Sequence, residues 1–153
     1  LGANPNFTAF DGTTPLIYAS KYLTSNYKTD IRYIAALLQF GADPNKITTD
    51  SVMGLERDAL NVAAVTSIEY VKYLIEKGNA DPFMMVNHIS PIEQAVIQNQ
   101  LETVDYLIST LNVSLHIPSG TYDGKTVYDI LNDKEYPSGS HLYLLQQKIL
   151  SSQ

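Results

Sequence analysis

Thr14-Pro15-Leu16-Ile17-Tyr18-Ala19, answered further along by Gly41-Ala42-Asp43-Pro44-Asn45, is the stretch on which the fold turns. Both halves recur. The opening returns as Asp58-Ala59-Leu60-Asn61-Val62-Ala63, Ser90-Pro91-Ile92-Glu93-Gln94-Ala95 and Thr126-Val127-Tyr128-Asp129-Ile130-Leu131. The closing tag is anticipated by Gly2-Ala3-Asn4-Pro5-Asn6 and repeated, with one residue inserted, as Gly78-Asn79-Ala80-Asp81-Pro82. Between opening and tag stand Ile34-x-x-Leu37-Leu38, Val71-x-x-Leu74-Ile75 and Val104-x-x-Leu107-Ile108, the last two 33 residues apart. Self-similarity at a period of about 20 to 50 residues marks an array of stacked units.

Local chemistry predicts what each unit is. Every opening begins with a side-chain oxygen able to accept from free N–H groups at a helix start, and in two of them Pro follows at the first helical position. Ser90 and Glu93, Thr66 and Glu69, and Asn99 and Glu102 have the spacing of capping boxes. Thr29 or Asp30 starts the helix at Ile31. The runs Ile31, Ile34, Leu37, Leu38 and Ile68, Val71, Leu74, Ile75 keep helical spacing. Gly41 and Gly78 are predicted to stop helices in the left-handed conformation, with Asn112 doing so in the third unit. A unit is therefore helix, tight turn, helix, stop and extended loop.

Thr-Pro-Leu-x-x-Ala followed by Gly-Ala-Asp-x-Asn resembles the ankyrin repeat, which implies an all-α solenoid of stacked helix-turn-helix units with finger loops. The resemblance divides the chain into the tail of a preceding repeat (1–6), repeat 1 with an inter-helix insertion (7–45), repeat 2 with a long finger (46–82), repeat 3 (83–115) and a degenerate C-terminal cap (116–153). The insertion falls at 23–28 and the long finger at 47–54. A last helix is predicted from about His141 to Ser151, with Leu142, Leu145 and Ile149 inward, and Asn132, Asp133, Lys134 and Glu135 supply a polar end. Tyr18, Ala19 and Leu23 would be partly uncovered at the other end, so more repeat is expected ahead of the chain, which reads as a segment of a longer polypeptide. The family's His in Thr-Pro-Leu-His is replaced by Ile17, Asn61, Glu93 and Asp129, which predicts looser loops.

Composition narrows function. The 153 residues carry 10 Lys+Arg against 16 Asp+Glu, a net charge of −6, the wrong balance for a nucleic-acid binder that neutralises phosphates. Cys is absent, which removes disulfides, thiolate metal sites and a Cys nucleophile and suits a cytoplasmic setting. No apolar run has the roughly 20 residues of a membrane span. His88, His116 and His141 lack companions at metal-ligand spacing and read as loop or surface residues. No phosphate-binding glycine loop, dinucleotide fingerprint or nucleophile elbow occurs; Ser138-Gly139-Ser140 reads as a turn. No cofactor and no catalysis are expected.

Ankyrin-like proteins use a concave face made of fingers and first helices, so the resemblance implies a module that docks another protein there as a monomer. Its variable positions map to Thr8, Phe10, Asp11, Thr13, Lys21 and Tyr22; Glu56, Arg57, Val65 and Thr66; Met84, Val86, Asn87, Ile89, Ile97 and Gln98; and Tyr122, Asp123 and Lys125. Tyr22, Tyr27 and Tyr122 are placed to be exposed, whereas Tyr33, Tyr70, Tyr73 and Tyr106 are predicted to pack between repeats. Phe83 and one Met of Phe83-Met84-Met85-Val86 are alternatives for core or surface. A second reading is a targeting or regulatory domain of a larger enzyme. Ile, Asn and Tyr richness with divergent repeats resembles ankyrin effectors of intracellular bacteria such as Legionella, which would imply a host cytosol.

Overall fold

The computed structural model describes residues 2–21, 30–49, 51 and 53–152. Among them are eight helices: α1 (Pro15–Ser20), α2 (Ile31–Gln39), α3 (Ala59–Ala64), α4 (Ile68–Glu76), α5 (Pro91–Ile97), α6 (Leu101–Leu111), α7 (Val127–Asn132) and α8 (His141–Ser151). A two-stranded antiparallel ribbon joins β1 (Thr48–Thr49) to β2 (Glu56–Arg57), with Thr48 opposite Arg57. The expected insertion at 23–28, with Tyr22, Tyr27 and Thr29, lies outside the described residues.

Helices this short do not persist alone in water, so tertiary burial must hold them. They line up in two rows. The first helices touch in the order α1, α3, α5, α7 and the second helices in the order α2, α4, α6, α8, while each pair also packs on itself. Leu16 and Ile17, Leu60 and Ala63, Ile92 and Ala95, and Val127 and Leu131 fill the space from the first row; Ile34, Val71, Leu74, Val104, Leu107 and Ile149 fill it from the second. Ala19, Ala63 and Ala95 recur at one position and are all buried, letting neighbouring first helices approach closely.

The caps at the first helices are as predicted. Thr14, Asp58, Ser90 and Thr126 accept from the backbone N–H three residues on, of Ile17, Asn61, Glu93 and Asp129. Asp30 caps α2 through Arg32. The capping boxes are elsewhere than predicted: the reciprocal box forms at Thr126 and Asp129, whereas Ser67 and Gln100 begin α4 and α6 with no side-chain cap bond. Thr66 instead donates to Ser20 O at 2.9 Å, and Asn99 Oδ1 receives Lys134 Nζ and Tyr136 OH. Gly41 and Asn112 turn left-handed as expected. At the second tag the left-handed residue is Asn79 rather than Gly78. Gly78 is required for another reason, since a Cβ there would lie 2.6 Å from Leu74 O and 3.1 Å from the Leu38 methyls.

One side chain fixes the translation from unit to unit. Asn6 Nδ2 donates to Gly41 O at 2.9 Å while its Oδ1 accepts from Asp43 N at 2.7 Å. Asn45 does the same one unit on, to Asn79 O at 3.2 Å and from Asp81 N at 2.8 Å. Phe83 occupies the next such position and ends the ladder. Replacing Asn45 with Ala removes both bonds and should cost about 1–2 kcal/mol, read as a lower urea midpoint with an unchanged far-UV spectrum.

Candidate protein-docking surface

Each first helix is preceded by a finger, and the backbone closes all four alike. Ala9 N donates to Thr13 O at 2.9 Å, Thr48 pairs with Arg57, Val86 N donates to Ile89 O at 3.0 Å, and Ser119 N donates to Lys125 O at 2.8 Å. The third is a two-residue hairpin in which Asn87 and His88 both have positive φ, 52° and 65°, the geometry whose twist matches antiparallel strands.

Side chains then tie finger to finger. Lys46 Nζ reaches back to Asn6 O at 2.6 Å and Thr8 Oγ1 at 2.9 Å, and Ser51 Oγ donates to Phe10 O at 2.5 Å. Glu56 and Asn87 exchange three bonds: Glu56 N to Asn87 Oδ1 at 3.0 Å, Asn87 Nδ2 to Glu56 O at 2.8 Å, and Asn87 N to Glu56 Oε2 at 3.3 Å. Gly120 sits so close to the third finger that a Cβ would meet His88 O at 2.0 Å. The loss of the family's His predicted looser loops, and two of its replacements instead supply ties. Asn61 Nδ2 bonds Asp58 Oδ2 at 2.9 Å and approaches Met84 O at 3.5 Å. Glu93, fully buried, accepts from Ser119 Oγ at 2.6 Å and from Gly120 N and Thr121 N at 3.0 Å.

Electrostatics follow the same frame. Burial pushes the Asp58 carboxyl above its ordinary range, against the two hydrogen bonds from Asn61. The Thr13 N–H holds Asp11 below that range, and the Thr126 hydroxyl does so for Asp129. Burial, reinforced by the bond to Glu76, pushes Tyr106 up to about 12.

The sequence-derived positions divide into three groups. Phe10, 91% exposed, Tyr122, Asp123 and Gln98 stand in solvent, while Ile89, Ile97, Val65, Lys21 and Arg57 are half-buried. Glu56, Asn87, Thr8, Thr66 and Lys125 are spent within the fold; the last pairs with Asp133 at 2.6 Å. Thr13 and Val86 are corrections. Both are buried, Val86 at 4%, because they sit in the strand positions that close their fingers. Alternation along the third finger sends Phe83 and Met85 outward instead, leaving Met84 half-buried. Tyr22 lies outside the described residues. Met53, Leu55 and Ile47 on the second finger are exposed and were not among the predicted positions; the length of that finger was the available signal. Tyr70, Tyr73 and Tyr106 pack between units as predicted, whereas Tyr33 is 65% exposed. His88, His116 and His141 are exposed; His116 stacks on Tyr128 and His141 meets Glu102 at 3.0 Å. Among the described residues no three acidic or His side chains gather as a metal site, and no helix is long and apolar enough to cross a membrane.

A repeated helix pair, a finger before each first helix and a left-handed stop after the second define a solenoid of the ankyrin kind. A family model for ankyrin repeats (3 copies) matches residues 24–117, and the chain belongs to that family. Ankyrin repeats are in general protein–protein interaction modules. A search of the curated proteins finds no match.

The buried carboxylate at Glu93 should be the anchor of the fourth finger. Glu93→Ala strands three donors and is expected to cost about 2–3 kcal/mol, with protease cleavage appearing between residues 119 and 125 before the helices melt. Equal resistance of variant and parent would contradict the anchor.

Proposed function

We propose that the chain is a docking module that holds a partner protein against its finger row and the adjoining first helices. The observation that supports this best is a set of solvent-facing apolar side chains, Met53, Leu55, Phe83, Met85 and Tyr122, mounted on fingers that are bonded to one another. Exposed apolar groups concentrated on one feature mark interaction sites, and Met adapts to irregular partners. A frame ordered beforehand lowers the entropy lost on binding, and aromatic anchors carry a large share of the energy at such interfaces. The partner is a protein with an apolar patch bordered by basic or neutral groups, given the chain's net charge of −6. A chain without Cys suits a reducing compartment such as the cytoplasm. Presentation is the whole mechanism, with no reaction step, and it serves equally where the module targets a larger enzyme or effector.

The triple variant Leu55→Asp, Met85→Asp, Tyr122→Asp tests the placement. Each side chain is exposed, so the melting temperature should stay within ~2 °C of the parent while affinity-captured partners fall at least tenfold. Capture undiminished by all three changes would put the docking surface elsewhere.

A further inference from the structure

Asp-Gly occurs twice in the chain, as Asp11-Gly12 and as Asp123-Gly124, each time in a finger. The dipeptide carries a reactivity of its own. An Asp carboxyl can close a five-membered ring with the amide nitrogen of the next residue, and Gly leaves that nitrogen unscreened because it has no Cβ. The two fingers hold the dipeptide differently.

In the first finger both reacting groups are occupied. Gly12 N donates to Ala9 O at 3.0 Å, and Asp11 Oδ1 accepts from Thr13 N at 3.0 Å. The carboxyl is thus committed to Thr13 N instead of Gly12 N. The same bond holds it below the ordinary carboxylate range, and an ionised carboxyl has no hydroxyl to lose as water.

In the fourth finger neither group is held. Lys125 N donates to Tyr122 O at 3.2 Å, which closes a tight turn with Asp123 and Gly124 at its two central positions and Gly124 at φ 73°. That turn makes no use of the Gly124 N–H, and among the described residues neither it nor the Asp123 carboxyl has a hydrogen-bond partner. Residues 121–125 are all exposed, and nothing lies within 4 Å of where a Cβ on Gly124 would stand. Ring closure there displaces no neighbour.

We propose that Asp123 is a site of spontaneous isomerisation to isoaspartate, and that Asp11 in the same dipeptide is protected by its turn. Gly124 N attacks Asp123 Cγ, the amide proton and the carboxyl hydroxyl leave as water, and a succinimide forms. Water then opens the ring. Opening at the side-chain carbonyl restores Asp; opening at the main-chain carbonyl routes the chain through Cβ and Cγ and leaves a free α-carboxylate. The water lost is regained, so mass and oxidation state are unchanged. The finger backbone gains one carbon between Tyr122 and Lys125, which works against their turn bond and against the closure from Ser119 N to Lys125 O at 2.8 Å. The new carboxylate stands in solvent as a methyl acceptor for enzymes that repair isoaspartate with S-adenosylmethionine.

The test incubates the whole chain at neutral pH for several weeks. Isoaspartate is then read by peptide mapping and by methyl transfer from labelled S-adenosylmethionine with an isoaspartyl methyltransferase. Synthetic peptides covering 6–16 and 118–128 give the rate of each dipeptide without the fold. Asp123 should convert in the folded chain within ~3-fold of its peptide, and Asp11 at least ~10-fold more slowly than its own, since bonded groups must open before they react. Asp123→Glu, which would need a larger ring, should remove the label from the fourth finger. Slowing of Asp123 as strong as that of Asp11 would overturn the proposal, and so would label confined to Asp11.

Discussion

A helix of six or seven residues with one apolar stripe cannot be stable by itself, and every first helix of this chain is of that kind. Burial by neighbours is therefore the constraint from which the architecture follows. The small residues Ala19, Ala63 and Ala95 set how closely successive first helices approach, and Leu131, equally buried, holds that position in α7. The Asn6 and Asn45 bridges then lock the register in the direction of stacking. Apolar burial drives the association, and these polar bridges specify its spacing.

The fingers depend on the same stacking but are fixed by different chemistry. They carry little apolar interior of their own, so hydrogen bonds across unit boundaries order them. Lys46, Glu56 with Asn87, Asn61 and Glu93 each contact a unit other than their own. Asn61 and Glu93 occupy the place of the family's His and reach into the following finger, which keeps a cross-unit tie while changing the side chain. Glu93 accepts three bonds in a buried setting, enough to hold its carboxylate out of water.

Much of this was legible in the residues. Side-chain oxygens before the first helices, Asn112 as a stop and the bounds of α8 are local features, set by groups within three or four positions. What escaped depends on space or parity. Gly78 reads as a left-handed stop, but the close backbone approach of Leu74 O decides its identity and Asn79 makes the turn. Ser90 and Glu93 have capping-box spacing, yet Glu93 is drawn away by the donors of the fourth finger. Val86 and Met85 differ by one residue and so fall on opposite sides of an extended segment. Tyr33 resembles Tyr70 in sequence but is 65% exposed where Tyr70 is 5% exposed, because Tyr70 packs on another unit of the described array.

Amide hydrogen exchange at the unit boundaries tests the cross-bonded frame most directly. Asp43, Asp81, Gly120 and Thr121 lie in loops, and their N–H groups bond side chains of other units. The account predicts that these four amides exchange at least ~100-fold more slowly than free peptide. Exchange at peptide rates while the helix amides stay protected would contradict it, leaving stacked helices with independent loops.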